Sequence, residues 1–391
     1  MSQSDFAIPD ALKTQLENVL EMADRQVRRT IEKWPASNPA PIYTENGKWY
    51  RQPTMWTDWT PGFYAGQMWI LAQTTGDGYW RAQAEEYTRA LELRRFDRDV
   101  HDLGFIFLSS YKRWLDVLDE DDPLAKRIGD TLVTAATVQS YRWNGRGDRG
   151  YIYSFNGPQS LFIDVMMNVR LLFWAATRGA PPEVGEKALE HSRTSAHFLV
   201  QRDGEGMGMV DGSTTHEAIF NTEDGRGEFR CLSTQQGYSP FTCWSRGLAW
   251  ALYGFAEAYR YTGEKEFLEV SRRCAKFYLD NTPESGVPLW DYGAPAEPHQ
   301  PLDSSAAAVA AGGLLSLLEW VDESEAEAYR ATILRVAESL TSDEFQGAKH
   351  DGQEGVLLHG TYHKPRNWGV DASVMWGEFF FLELVERLLR S

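Results

Sequence analysis

One unit recurs along most of this 391-residue chain: an apolar helix, a short polar turn and a charged amphipathic helix. In the turns, glycine ends one helix and acidic residues open the next. Because an apolar helix must bury its whole surface, the pattern predicts an inner layer of apolar helices covered by amphipathic ones. The turns read TTGDGYW at 74–80, LDEDDPL at 118–124, TRGAPPE at 177–183, YTGEKEF at 261–267 and VDESEAE at 321–327.

Twelve helices in six pairs predict an all-α fold closed into a double ring, and one domain over residues 1–391 accounts for the whole length. Strand-like pieces such as MGMVD and GVLLH allow a small hairpin in a loop but require no sheet. The apolar helices are predicted at 62–75, 103–118, 162–177, 244–261 and 304–320, with 372–389 as the sixth. The amphipathic helices are predicted at 78–95, 123–140, 183–201, 264–280 and 323–341, with 9–34 as the sixth.

The connections between these helices are unequal in length. Those that lead into an apolar helix are long and rich in Gly, Trp, His and Asp, and the segments 202–243 and 343–371 are the longest. Long loops in a compact domain are usually functional. All six open at the N-terminal ends of the apolar helices, so we expect the active site at that rim.

Asp102, in VHDLGFIFLSS, and Asp164, in GPQSLFIDVMMNVRLLFWA, both stand at the front of apolar helices. Two carboxylates delivered this way suggest an acid/base pair, since a carboxyl in apolar surroundings near a second one tends to keep its proton. The alternative is that both are helix caps or first-turn charges. The convergence of Trp, His and Asp on one rim favours the catalytic interpretation.

Composition restricts the classes of ligand. Aromatic residues make up 13% of the chain, with 15 Trp, 17 Tyr and 19 Phe, which suggests a pocket for flat apolar faces such as sugar rings. A net charge of −17 argues against nucleic-acid and acidic-membrane binding. The three cysteines lack metal-ligand spacing, so neither a disulfide framework nor a zinc site is implied. No metal, cofactor or obligate protein partner is predicted. The N-terminus shows no leader pattern, which predicts a cytoplasmic protein.

At this point a family resemblance covers nearly the whole chain. The carrying segments, in order, are WTDWTPGFYAG, HDLGF, LFIDVMMN, WSRGLAWALYGFAEAYRYTG, LWDYGAPAEPHQPLDSSAAAVAAGGLL and YHKPRNWGVDASVMWGEFFFLE. They resemble the unsaturated glucuronyl hydrolases of glycoside hydrolase family 88. The resemblance implies an (α/α)6 barrel that removes the 4,5-unsaturated uronic acid left by polysaccharide lyases at the non-reducing end of oligosaccharides.

The resemblance also assigns roles. Asp164 matches the general acid/base that protonates C4 and then accepts a proton from the attacking water, and Asp102 matches a partner carboxylate that raises the pKa of Asp164. Arg246 is expected to pair with the uronate carboxylate, although an acidic side chain could serve instead. The remaining substrate-binding matches are Trp59, His101, His216, Gln236, Trp244 and Trp250.

Simpler structural roles compete at several of these positions. Trp250 could be core packing, and His101 could cap a helix. His216 lies in a long loop and rests on the family match alone. Asp303, with Ser304 and Ser305, is interpreted as a helix cap. Asp58, Asp291 and Asp371 are candidate structural acids.

Two departures from relatives concern the substrate. Where some relatives have a Trp shortly before the acid/base, this chain has Tyr153 and Phe155. Near the C-terminus, Lys364 and Arg366 lead to the hypothesis of a sulfated or otherwise anionic second sugar. The rival functions are unsaturated rhamnogalacturonyl hydrolysis of pectin fragments, sugar 2-epimerisation, which depends on histidine pairs, and non-catalytic sugar binding by a helical toroid.

Overall fold

The structure, a computed structural model, describes residues 7–52, 58–147, 149–202, 209–223, 227–296 and 300–390. Helices dominate these ranges, and each predicted pair is present. The outer helices are α1 (Asp10–Lys33), α3 (Gly78–Arg89), α6 (Pro123–Ser140), α9 (Pro182–Phe198), α11 (Lys265–Asn281) and α13 (Glu323–Leu340). The inner helices are α2 (Pro61–Thr75), α4 (Leu103–Ser109) with α5 (Tyr111–Leu115), α7 (Val165–Asn168) with α8 (Arg170–Ala176), α10 (Ser245–Thr262), α12 (Ser304–Leu317) and α14 (Met375–Arg390).

The inner helices form a closed ring. Contacts run from α2 to α4, from α4 to α7 and α8, and on through α10, α12 and α14 back to α2. The inner helices are buried on nearly every side, whereas each outer helix buries one face. The predicted (α/α)6 barrel is therefore confirmed. Among the described residues, no helix combines the length and apolar character needed to cross a membrane.

The helix ends follow the turn chemistry in the sequence. Gly76 and Gly263 adopt left-handed conformations, each with φ of 69°, and their N–H groups bond to the carbonyls four residues back. Asp77, Asp122 and Asp322 cap the helices that follow by accepting backbone N–H bonds. These turns therefore fix where the inner helices stop and the outer ones begin.

Two inner helices differ from their predicted forms. The helix predicted at 103–118 breaks at Ser110, whose hydroxyl donates to the carbonyl of Ile106, and its second part ends at Leu115. The helix predicted to begin at 162 begins at Val165, because residues 160–162 form a strand instead. The apolar periodicity of a short buried strand and of a helix start are alike, which explains the error.

Small sheets lie in the long connections. Strand β1 (Tyr43–Glu45) pairs with β2 (Lys48–Tyr50), β3 (Trp143–Asn144) with β4 (Tyr151–Ile152), and β6 (Glu217–Asn221) lies between β5 (Ser160–Phe162) and β7 (Glu228–Ser233), all antiparallel. A loop hairpin is thus present, but not where it was predicted. MGMVD lies partly outside the described residues, and GVLLH forms only an isolated bridge between Leu357 and Gln346.

The two ends of the barrel differ in chemistry. Near the C-terminal ends of the inner helices, Arg113 pairs with Glu383 and Glu386 at 3.0 and 2.8 Å, and Arg170 pairs with Glu257 at 3.4 Å. These ion pairs are largely buried. The opposite end carries the long connections, including the β5–β7 sheet, and this is where the predicted site residues lie.

Candidate active site

Most of the predicted site residues line one pocket at the N-terminal ends of the inner helices. The eight are Trp59, His101, Asp102, Asp164, Gln236, Trp244, Arg246 and Trp250. Space for water-sized spheres among the lining side chains is about 20 Å³, and the volume including the open mouth is about 420 Å³. The lining side chains are therefore closely packed in the free protein.

His101 connects the two aspartates. Its Nε2 lies 3.3 Å from Oδ1 of Asp102 and 3.5 Å from Oδ2 of Asp164. Its Nδ1 accepts the backbone N–H of Phe155 at 3.0 Å, so the neutral ring carries its proton on Nε2, facing both carboxylates. His101 is thus more than a helix cap, because its Nε2 lies within 3.5 Å of both carboxylates.

Asn168 contacts both Asp102 and Asp164. Its amide nitrogen lies 3.2 Å from Oδ1 of Asp102 and 3.2 Å from the backbone oxygen of Asp164. Its amide oxygen accepts the backbone N–H of Phe105 at 2.7 Å. Sequence reasoning missed Asn168, although a lone amide four residues after Asp164 in the apolar run VMMNVRLLF was a signal for it.

The pKa values of Asp102 and Asp164 shift in opposite directions. Burial raises the pKa of Asp102 to about 6. Burial also acts to raise the pKa of Asp164, but the adjacent His101 ring outweighs it and the pKa is lowered. The prediction that Asp164 carries the raised pKa is therefore wrong for the free protein. Within the described residues, Oδ1 of Asp164 is buried without a hydrogen-bond partner, which leaves it available to a ligand.

Aromatic rings form much of the wall. The Trp59 ring lies 5.5 Å from that of Phe105, and the Trp250 ring lies 5.0 Å from Phe105 on its other side. Trp250 is 1% exposed, so it serves as core packing and pocket wall together. Phe155, one of the two aromatic residues noted before the acid/base, stacks on the His101 ring at 5.7 Å. The lining residues that sequence reasoning missed are Phe105, Phe162, Gln235 and Tyr362.

Arg246 is buried, and an acidic side chain pairs with it. Its Nη1 lies 2.9 Å from Oδ2 of Asp303, and the pair is 1% and 0% exposed. The guanidinium also stacks over the Trp244 ring at 4.4 Å. The sequence left open whether Arg246 pairs with the substrate carboxylate or with an acidic side chain. In the free protein it pairs with Asp303. Asp303 also caps α12 as predicted, by accepting the N–H of Ser305.

Three predicted binding residues lie outside the pocket lining. His216 lies behind the wall, between Phe162 and Trp244 at 4.5 and 4.7 Å, and its Nδ1 accepts the N–H groups of Gln235 and Gln236. It therefore supports the pocket from behind. Lys364 is half-buried and Arg366 exposed, both in the 3-10 turn Lys364–Arg366 that follows Tyr362.

The three candidate structural acids make structural contacts. Asp58 pairs with Arg51 and Arg94, at 3.1 and 3.3 Å. Asp291 accepts N–H bonds from Tyr238 and Gly293, and Asp371 pairs with His359 at 2.6 Å. His359 and Asp371 line a second groove of about 600 Å³ beside the β1–β2 turn. That groove is larger than the Asp102–Asp164 pocket but contains none of the predicted site residues.

The cluster could hold a cation by spacing alone. His101, Asp102 and Asp164 each offer a ligand atom, and these atoms lie within 4.8 Å of one another. To bind a metal, however, Nε2 of His101 must lose its proton. Because Nδ1 accepts a hydrogen bond from Phe155, the proton of the neutral ring lies on Nε2. The donor set therefore fits proton transfer better than metal coordination.

Known proteins resemble this chain over most of its length. It is 34% identical over 350 residues to the unsaturated glucuronyl hydrolase of Bacillus sp. (strain GL1), covering 86% of this chain and 87% of that protein. The crystal structure of an unsaturated glucuronyl hydrolase from Bacillus sp. GL1, responsible for the degradation of glycosaminoglycan, matches with a TM-score of 0.82 and 30% identity over 95% of this chain and 96% of that one.

A second solved structure extends the comparison. An unsaturated glucuronyl hydrolase specific for heparin matches with a TM-score of 0.83 and 27% identity, over 96% of each chain. No family model matches the sequence. The ring of inner helices, the two aspartates close to His101 and the 34% identity over most of both chains agree. The chain belongs to the unsaturated glucuronyl hydrolase family of glycoside hydrolases.

Proposed function

We propose that this protein releases the 4,5-unsaturated uronic acid from the non-reducing end of oligosaccharides produced by polysaccharide lyases. The observation that carries this proposal is the Asp102–His101–Asp164 cluster, which lines an aromatic-walled pocket. The cluster supplies carboxylates for proton transfer, and the indole rings supply flat faces for a sugar. The fragments we favour come from glycosaminoglycans or bacterial polysaccharides.

The reaction adds one water molecule and breaks one ring. Asp164 gives a proton to C4 of the enol ether, and the π electrons of the C4=C5 bond form the new C–H bond, which leaves an oxocarbenium ion at C5. Water adds to C5 and returns a proton to Asp164. The resulting hemiketal opens, and the rest of the chain leaves as an alcohol. Because the anomeric carbon is not attacked, carboxylate separation does not predict retention or inversion.

Substrate binding is expected to raise the pKa of Asp164, so that it can act as an acid. In the free protein the pKa of Asp164 is lowered, so the carboxylate is ionised at neutral pH. A uronate that enters excludes water and adds a negative charge, and both effects raise the pKa of a neighbouring carboxyl. The carboxylate of Asp102 then stabilises the cation formed at C5, and His101, whose Nε2 lies within 3.5 Å of both carboxylates, helps to hold Asp164 in place.

Loss of ultraviolet absorbance tests the proposed function directly. The C4=C5 double bond conjugated to the carboxylate absorbs near the ultraviolet edge, and hydration removes it. We expect purified protein to remove the absorbance of lyase-generated disaccharides from chondroitin, heparin, xanthan or gellan. Turnover of pectin fragments alone would replace the proposal with rhamnogalacturonyl hydrolysis. Tight binding of all these sugars without any loss of absorbance would favour the non-catalytic toroid.

Lys364 and Arg366 are expected to set the preference for a charged second sugar. They follow Tyr362, which lines the pocket, and Arg366 lies over the Trp368 ring at 4.9 Å. Reversing both charges with Lys364→Glu and Arg366→Glu should lower the kcat/KM ratio of sulfated to unsulfated disaccharides about tenfold, through repulsion of the sulfate.

A matched control separates this local effect from net charge. Lys126 and Lys276 lie on the outer helices α6 and α11, with side chains 80% and 74% exposed. Lys126→Glu with Lys276→Glu changes the net charge by the same amount and should leave the ratio unchanged. Equal ratios in both double variants and the parent protein would reject a role for Lys364 and Arg366 in sulfate preference.

A further inference from the structure

Arg246 orients a neighbouring amide as well as lining the pocket. Its Nη2 donates to Oε1 of Gln236 at 2.5 Å and to the backbone oxygen of Tyr362 at 2.8 Å. A guanidinium only donates hydrogen bonds, so the atom of Gln236 that faces it must be the amide oxygen. The amide nitrogen, with two N–H groups, is then the part of Gln236 that can serve a ligand in the pocket.

Asp303 fixes the guanidinium from the other side. Its Oδ2 accepts from Nη1 of Arg246 at 2.9 Å, and the carbonyl of Thr361 accepts from the same nitrogen. Its Oδ1 accepts from the backbone N–H groups of Ser305 and Thr361 at 3.2 and 3.3 Å. Both carboxylate oxygens of Asp303 therefore accept hydrogen bonds, and these bonds fix the orientation of its side chain.

Two residues of the inner helices, Ser305 and Trp376, hold Asp303 in turn. The hydroxyl of Ser305, which donates to Asp303, also accepts the indole N–H of Trp376 at 3.0 Å. Ser305 belongs to α12 and Trp376 to α14, so two inner helices set the position of Asp303. Burial lowers the pKa of Arg246, and the charge of Asp303 acts against that effect. Without the carboxylate, the guanidinium would be a buried charge lacking its counter-ion.

We propose that Asp303 is a positioning residue for substrate binding, which acts through Arg246 to point the amide N–H groups of Gln236 into the pocket. This inference rests on the proposed function, because the ligand it serves is the unsaturated uronate. Asp303 lies behind Arg246 and is fully buried, so its effect on the sugar is indirect. Its role as the N-cap of α12 is separate and needs only an acceptor oxygen.

The variant Asp303→Asn separates the two roles. Asn is an equally good N-cap and has nearly the same shape, but it lacks the charge that pairs with Arg246. We expect KM for an unsaturated disaccharide to rise about tenfold, the loss typical of one charge-assisted hydrogen bond, with kcat changed less than KM. Asp322, which caps α13 by accepting two N–H bonds, provides the control, and Asp322→Asn should leave KM unchanged.

A double-mutant cycle identifies the path of the effect. In a Gln236→Ala background the amide is gone, so adding Asp303→Asn should change KM by less than twofold. A KM effect of Asp303→Asn that persists in full in that background would overturn the proposal. So would an Asp303→Asn protein that unfolds at a lower temperature but keeps the parent KM, because Asp303 would then be structural alone.

The proposed function can fail separately from this inference. Parent protein that turns over no unsaturated disaccharide would reject the function itself. Parent protein with normal turnover, together with an unchanged KM in Asp303→Asn, would reject only the positioning role. Quenching of tryptophan fluorescence by the disaccharide, titrated for each variant at 25 °C, gives a binding constant that must follow the same order as KM.

Discussion

Replacing Asp164 with Asn is expected to lower kcat for unsaturated disaccharides about 10²–10⁴-fold, the range for loss of general acid/base catalysis. Asn has the same shape but cannot give a proton to C4 or accept one from water. The fold should be preserved, since Oδ1 of Asp164 is without a partner within the described residues and His101 keeps its bond to Phe155. Ultraviolet absorbance measures the loss, and circular dichroism checks the fold.

Asp371→Asn serves as the matched control for this variant. Asp371 is an exposed carboxylate on the same rim, with φ of 53°, a conformation that Asn tolerates well. It pairs with His359 in the separate groove, so its replacement should leave kcat within about twofold of the parent value. Substantial turnover by a folded Asp164→Asn protein would reject the acid/base assignment.

Gly104→Ala is expected to destabilise the protein strongly and to reduce its activity. A Cβ at Gly104 would lie 2.4 Å from both Cα and O of Asn168, so α4 and α7 would have to move apart. Forcing backbones apart in a packed core costs about 3 kcal/mol at the upper end of the usual range. The same movement would pull Asn168 away from Asp102, so kcat should fall in the protein that remains folded.

Gly129→Ala is the matched control, because it makes the same chemical change with the opposite expected sign. Gly129 lies inside α6, and a Cβ there would meet nothing within 4 Å. The free energy of unfolding should therefore rise by about 0.5–1 kcal/mol, as for Gly to Ala in an open helix interior. Urea denaturation of both variants measures the difference. A Gly104→Ala midpoint equal to that of the parent would contradict the close packing of α4 against α7.

Much of the helical frame could be predicted because its signals are local. The glycines at 76 and 263 end their helices through a left-handed residue, and Asp77, Asp122 and Asp322 cap the next ones. Where the signal was ambiguous, the prediction failed. Leu161 and Phe162 would be buried in either a strand or a helix, and only the pairing of residues 160–162 with β6 decides between the two.

The tryptophans that line the pocket were predicted, but the residues that hold the lining in place were not. Trp59, Trp244 and Trp250 were expected at the rim, and all three line the pocket. Asn168 was missed although its place in an apolar run marked it as unusual, and Tyr362 was missed because a single aromatic residue in a sequence does not show what it contacts. His216, also expected to bind sugar, lies outside the pocket lining, and its Nδ1 accepts the backbone N–H groups of Gln235 and Gln236.

The sequence by itself determined the double ring of helices and the rim on which Asp102 and Asp164 lie, because periodicity and capping depend on neighbours within a few residues. Tertiary structure decided how the charges at the site are shared. The raised pKa falls on Asp102, and Arg246 pairs with Asp303, 57 residues away in the chain. Both outcomes depend on burial and on distances of 2.9–3.5 Å between residues far apart in the chain, such as Arg246 and Asp303 or His101 and Asp164, which local sequence patterns do not specify.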